Sequence, residues 1–206
     1  MLAAARAGYE VEGIELDPAR AAAAVATGAS VRATGIEAAE VEPAGLDAIT
    51  CWHVLEHVDD PGAVTGRLAG WLRPGGVFLA GAPNLASLQA RVGGARWYHL
   101  DLPRHRTHFT VAGLHALLRR HGLTPLATHH VLAEHNPYGM WQSLVNRATP
   151  TPSYLFHLLK REAPPRAGEL AVTALATPLL PLAALVELGA GLARRGGTVA
   201  VVARRA

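Results

Sequence analysis

The stretch that most limits what this chain can fold into is residues 46–84, LDAITCWHVLEHVDDPGAVTGRLAGWLRPGGVFLAGAPN, because it holds strand, loop, helix, turn and strand in one run. Leu46–Trp52 is short, apolar and β-branched with one acid near its entry, the pattern of a parallel strand buried on both faces. The pattern breaks over residues 53–60. Pro61 suits the first turn of a helix with Asp60 as its N-cap, and Val64, Leu68, Trp71 and Leu72 recur at helical spacing. Pro74, Gly75 and Gly76 are expected to end that helix, and residues 77–80 to form a second buried strand. In an open α/β sheet, ligands collect at the carboxyl ends of strands, so residues 53–57 and Pro83 with Asn84 are expected to face one crevice.

Those residues carry a resemblance. A strand ending in WHVLEHVDDP, followed by a helix and LRPGGVFLAGAPN, resembles the class I S-adenosylmethionine-dependent methyltransferases. The LEHV segment is similar to the branch containing the ubiquinone-biosynthesis O-methyltransferases. The resemblance covers residues 1–131 and 197–205. It implies an α/β Rossmann-like sheet of order 3-2-1-4-5-7-6, S-adenosylmethionine as cofactor, and methyl transfer to a small-molecule acceptor, most naturally an oxygen. His53, Glu56 and His57 also spell H-x-x-E-H, an inverted zinc-peptidase signature, but that motif must sit on a helix and here it directly follows a strand.

The chain opens inside the pattern. Residues 1–7 form helix readily and Gly8 closes them, and YEVEGIEL (residues 9–16) alternates as a strand. In the family these are the first helix and the second strand, so the first strand and its glycine-rich loop are missing from this sequence. Either an upstream frame encodes them, or the chain is a fragment, or it is a cofactor-free remnant acting as a binding or membrane-associated protein. By the resemblance, Glu15 at the strand end, with Leu16 beside it, meets the cofactor's ribose hydroxyls, and the loop at Ile36 contacts adenine. Trp52 and His53 flank the cofactor from the fourth strand of the complete fold. Glu56 and His57 match the second half of an acid-x-x-Glu-His pattern for which a metal has been implicated, with His53 in place of the first acid. The sequence alone assigns no metal.

ARWYHLDLPRHRTHFT (residues 95–110) packs Trp97, Tyr98, His99, His105 and His108 among Asp101, Arg104 and Arg106, and reads as a site wall. His105 is the first candidate for a general base, because histidine titrates near working pH, and His57 is the second. Thr110 caps a helix over residues 111–121, and a strand follows over residues 123–131.

The α/β pattern then stops. Two parts are expected: residues 1–131 with 196–206, and a helical insertion over 132–195 before the final strand, Thr198–Arg205. Within the insertion, residues 170–186 carry no charge. As one helix they reach about 26 Å at roughly 1.5 Å per residue, short of a hydrocarbon core of about 30 Å, and Pro178 and Pro181 interrupt them. A cap over the site that touches a bilayer surface fits better than a span. Basic residues exceed acidic ones by only three and are scattered, so no nucleic-acid footprint is formed. The single cysteine, Cys51, excludes an intrachain disulfide, and with no signal peptide evident a cytoplasmic location is expected.

Overall fold

A computed structural model describes all 206 residues. It divides into two compact units, residues 1–43 and 44–206. In the first, α1 (Leu2–Arg6) leads to β1 (Gly13–Glu15), α2 (Pro18–Ala26) and β2 (Val31–Ala33). Asp17 starts α2 by accepting from the backbone N–H groups of Ala19 and Arg20, with Pro18 in the first turn. β1 and β2 pair in parallel, Glu15 beside Ala33. The eight-residue strand expected over 9–16 shrinks to three because β2 is three residues long and offers no further ladder partners.

The second unit holds β3 (Leu46–Trp52), α3 (Pro61–Trp71), β4 (Leu72–Pro83), α4 (Leu88–Gly93), α5 (Val111–Arg120), β5 (Leu123–His129), α6 (Asn136–Ala148), α7 (Tyr154–Leu159), α8 (Ala167–Ala176), α9 (Leu180–Leu192) and β6 (Thr198–Arg205). Its sheet runs β3-β4-β6-β5, with β3 parallel to β4 and β6 antiparallel to both neighbours. In family numbering, the four-stranded sheet has the order 4-5-7-6, and the two-stranded sheet pairs strands 2 and 3. Each order is that of a Rossmann-like sheet.

Within the four-stranded sheet one expectation is corrected. β3 has a single strand neighbour, and Asp47, Ala48 and Thr50 are exposed, so it is an edge strand and not one buried on both faces. The helix before β4 also stops sooner than expected. Leu72 already pairs with Leu46, and Pro74, Gly75 and Gly76 form an irregular start to β4, with Gly75 at φ 77°. Asp60 caps α3 as expected, accepting from the Ala63 N–H at 2.9 Å. The core lies between β4, β6 and their covering helices, where Phe78, Leu114, Leu118, Leu123 and Val201 have no exposure.

Helices α6 to α9 occupy the interval between β5 and β6. They belong to the same compact unit as the four-stranded sheet. Trp141, Met140, Val145 and Ala183 form their shared core, and the Trp141 indole donates to the Ala176 carbonyl at the break before Pro178.

Candidate functional site

At the carboxyl end of β3 the chain turns sharply. The His53 N–H still bonds to the Gly81 carbonyl of β4 at 3.0 Å, but its φ of 51° throws residues 54–59 into a tight turn. His53, Glu56 and His57 therefore sit on a turn, not on a helix, which removes the peptidase geometry. Glu56 is driven inside, 1% exposed, and its backbone carbonyl accepts the N–H groups of Arg106 (2.7 Å) and Thr107 (3.3 Å). Two loops distant in sequence are thus fastened at Glu56, and that fastening gathers the histidines.

Hydrogen-bond acceptors fix most tautomers, because a backbone carbonyl can only receive. His105 Nδ1 lies 2.7 Å from the His99 carbonyl and His57 Nδ1 lies 3.1 Å from the Arg104 carbonyl, so each Nδ1 carries a proton, and Nε2 is the nitrogen left to accept one. The two rings stand 4.6 Å apart, nearly perpendicular. His105 is buried and His57 exposed. Asp101 Oδ2, held by Arg104, lies 3.7 Å from His105 Nε2. Deeper in, His53 Nδ1 meets Glu56 Oε1 at 2.9 Å, and the His53 ring lies within 5.8 Å of His99 and 5.0 Å of His135.

Burial sets the electrostatics. It holds His105 below the ordinary imidazole value, against the opposing pull of the His99 carbonyl and of Glu56 and Asp101. His99 is pushed down further, by burial first and then by the neighbouring imidazoles of His53, His105 and His135. Both are neutral near pH 7. Three buried atoms here have no hydrogen-bond partner: His53 Nε2, His99 Nε2 and Glu56 Oε2. One atom each from Glu56, His57 and His105 lie within 4.8 Å of one another. An orphaned carboxylate oxygen beside two imidazoles with Nδ1 turned to backbone carbonyls is a donor set that fits a divalent cation.

Among the residues expected from sequence, His53, His57 and His105 come together. Trp52 lies flat on Gly81, where a Cβ would meet its ring at 2.5 Å, and touches His53 edge-on. Trp97 does not form a site wall as expected. It is 3% exposed, and its indole donates to Gln89, so it is part of the packing under α4. His99 is likewise interior. Asn84 is also consumed structurally, donating to the Gly196 carbonyl and accepting from Ala86. His135, at the N-cap of α6, was missed, since nothing in its local sequence ties it to His53.

In the first unit, Glu15, Leu16 and the turn containing Ile36 share the carboxyl end of β1 and β2. Glu15 Oε1 accepts from the Asp17 N–H at 2.9 Å, its carbonyl accepts from Thr34, and the Leu16 side chain lies against Gly35. A carboxylate fixed at the end of a parallel strand suits a pair of ribose hydroxyls.

Comparison with known proteins agrees with this topology. A family model described as a methyltransferase domain matches residues 1–128. The chain is 35% identical over 132 residues to a ubiquinone biosynthesis O-methyltransferase of Xanthomonas axonopodis pv. citri, covering 58% of this chain and 55% of that one. It is 38% identical over 88 residues to the protein of the same description from Xylella fastidiosa strain M23, covering 40% and 36%. The chain thus spans about half or less of these curated relatives. Among solved structures, it resembles the cyclase SpnF (TM-score 0.62, 19% identity, 99% of this chain and 69% of that one). It also resembles a Thermotoga maritima protein described as a possible histamine N-methyltransferase (TM-score 0.59, 17% identity, 95% and 72%).

Proposed function

Because the chain belongs to the class I S-adenosylmethionine-dependent methyltransferases, we propose that it methylates a hydroxyl oxygen of a small molecule, with His105 as general base. When bound, S-adenosylmethionine supplies an electrophilic methyl on a sulfonium centre. The protein's remaining task is to align an acceptor, exclude water and remove one proton. The relatives described as ubiquinone biosynthesis O-methyltransferases favour oxygen as the acceptor atom. By the family resemblance, Glu15, with Leu16, would hold the ribose and the turn at Ile36 the adenine in the first unit, and Trp52 and His53 are the cofactor-binding candidates of the second.

The observation that carries this reading is the His105–His57 pair over Glu56. His105 is buried and neutral with Nε2 free, so it can accept the acceptor's proton there. Asp101 then stabilises the resulting imidazolium at 3.7 Å. Exposed His57 offers the proton a route to solvent. In a metal-assisted alternative, with His105 Nε2 as a ligand and not as the base, Glu56, His57 and His105 would hold a divalent cation, which would lower the pKa of a coordinated hydroxyl.

The test measures labelled methyl transfer to a panel of phenolic acceptors, alongside calorimetry with S-adenosylmethionine. His105→Ala is expected to reduce kcat by about a hundredfold to ten-thousandfold with cofactor affinity nearly unchanged. An unchanged kcat at saturating acceptor would reject His105. A larger loss in His57→Ala would move the base to His57. Absence of both transfer and cofactor binding would count against the methyl-transfer reading.

A further inference from the structure

Helices α8 and α9 are amphipathic in the wrong sense for an exposed surface. From Ala167 to Leu192 the chain forms one 26-residue helical run long and apolar enough to cross a membrane, broken only by the turn at Pro178, yet just 17% of its most apolar window is buried. Leu175, Leu182, Leu185 and Leu192 recur at helical spacing on the outer face, 81%, 57%, 66% and 73% exposed. The run's two acids, Glu169 and Glu187, are 5% and 2% exposed and face inward. Glu169 pairs with Arg166 and Thr151, and Glu187 accepts the Gly197 N–H. Ordinary surface helices place leucines inside and acids outside. Here the inward face carries the acids and small residues such as Ala183 and Ala190, and the outward face carries the leucines.

Charge flanks this face at both ends. Lys160, Arg161 and Arg166 are exposed before α8, and Arg194 and Arg195 are exposed after α9. Glu162, bonded to His157, is the one exposed acid in the stretch. We propose that the outer face of α8 and α9 docks onto an anionic lipid bilayer surface, the leucines entering the acyl boundary and the basic ends meeting the headgroups. This is independent of the methyl-transfer reading.

The charge pattern decides between occupants. A second copy laid on the same leucine row, in either direction, sets cationic ends against cationic ends, with no exposed acid between Ala167 and Ala193 to offset them. An anionic surface complements both ends at once. A span through the bilayer is disfavoured although the run would reach about 39 Å at roughly 1.5 Å per residue. Its inner face is committed to Trp141 and Met140, and it would carry Glu169 and Glu187 into hydrocarbon.

Vesicle co-sedimentation of the full chain tests this, with phosphatidylcholine vesicles alone and with phosphatidylcholine mixed with phosphatidylglycerol. Partitioning into the anionic vesicles is expected to exceed that into the neutral ones by at least about tenfold and to fall with added salt. Leu175→Glu/Leu182→Glu/Leu185→Glu, whose sites are exposed and whose melting should be unchanged, is expected to lower partitioning at least about tenfold. Arg161→Glu/Arg194→Glu should abolish the preference for anionic lipid. Equal binding to both vesicle types, or undiminished binding of the leucine variant, would overturn the proposal. So would a sedimentation-detected dimer that the leucine variant abolishes while no vesicle binding occurs, which would assign the face to a second copy.

Discussion

At the scale of single residues, two carboxylates show how place decides behaviour. Glu187 is pushed up to about 7 by burial, outweighing its bonds to the Gly197 N–H and Gln89, and its second oxygen has no partner. Between its ordinary value of 4.5 and about 7, the folded chain keeps a proton there that the unfolded chain gives up. Raising the pH through that window therefore costs stability, and the loss is complete above it. Glu187→Gln keeps an acceptor for Gly197 and removes the charge. Its melting temperature should exceed that of the wild type at pH 8, with the difference shrinking to nothing below pH 4.5, as differential scanning calorimetry at stepped pH would show. For Glu15 we propose the opposite use, as an accessible acceptor at a strand end. Charge-assisted bonds of about 1.5–3 kcal/mol make Glu15→Ala about tenfold to a hundredfold weaker for S-adenosylmethionine, and calorimetry returning wild-type affinity would remove it from the site.

Among the elements, α3 offers a direct check on the local code. Asp60→Ala removes the oxygen that receives the Ala63 N–H and should destabilise the chain by about 1 kcal/mol in urea titration, with Asp60→Asn losing less. This region was the most legible part of the sequence, because cap, proline and apolar spacing all point to the same helix, and Leu46–Trp52 was found with its bounds intact. Residues 95–110 were legible only by composition. Their six aromatic and histidine side chains signalled something other than a plain loop, but which of them face inward is set by Gln89 reaching Trp97 and by Glu56 receiving Arg106 and Thr107. Those are tertiary contacts with no local signature, and the same holds for His135. The outward leucines of α8 and α9 were visible as an uncharged run, whereas the inward turn of Glu169 and Glu187 was not, since it depends on Arg166, Thr151 and the Gly197 backbone.

Across the whole molecule, burial is unevenly distributed. Residues 1–43 contain two buried side chains, Ala21 and Ala39, whereas the core of residues 44–206 is dense around β4 and β6. Segments with so little buried apolar area open at low free energy. Hydrogen exchange should therefore show amides of residues 1–43 exchanging at least about a hundredfold faster than those of Phe78–Ala82 and Val199–Ala203, and comparable protection in both would contradict this distribution. The exposed edge of β3 bears on handling as much as on fold. Seven residues in length with Asp47 as its one charge, it presents unpaired backbone donors and acceptors with little to repel another strand. A concentrated solution of this chain should thicken into β-rich aggregates nucleated at LDAITCW, and a lysine in place of Thr50 should delay their onset.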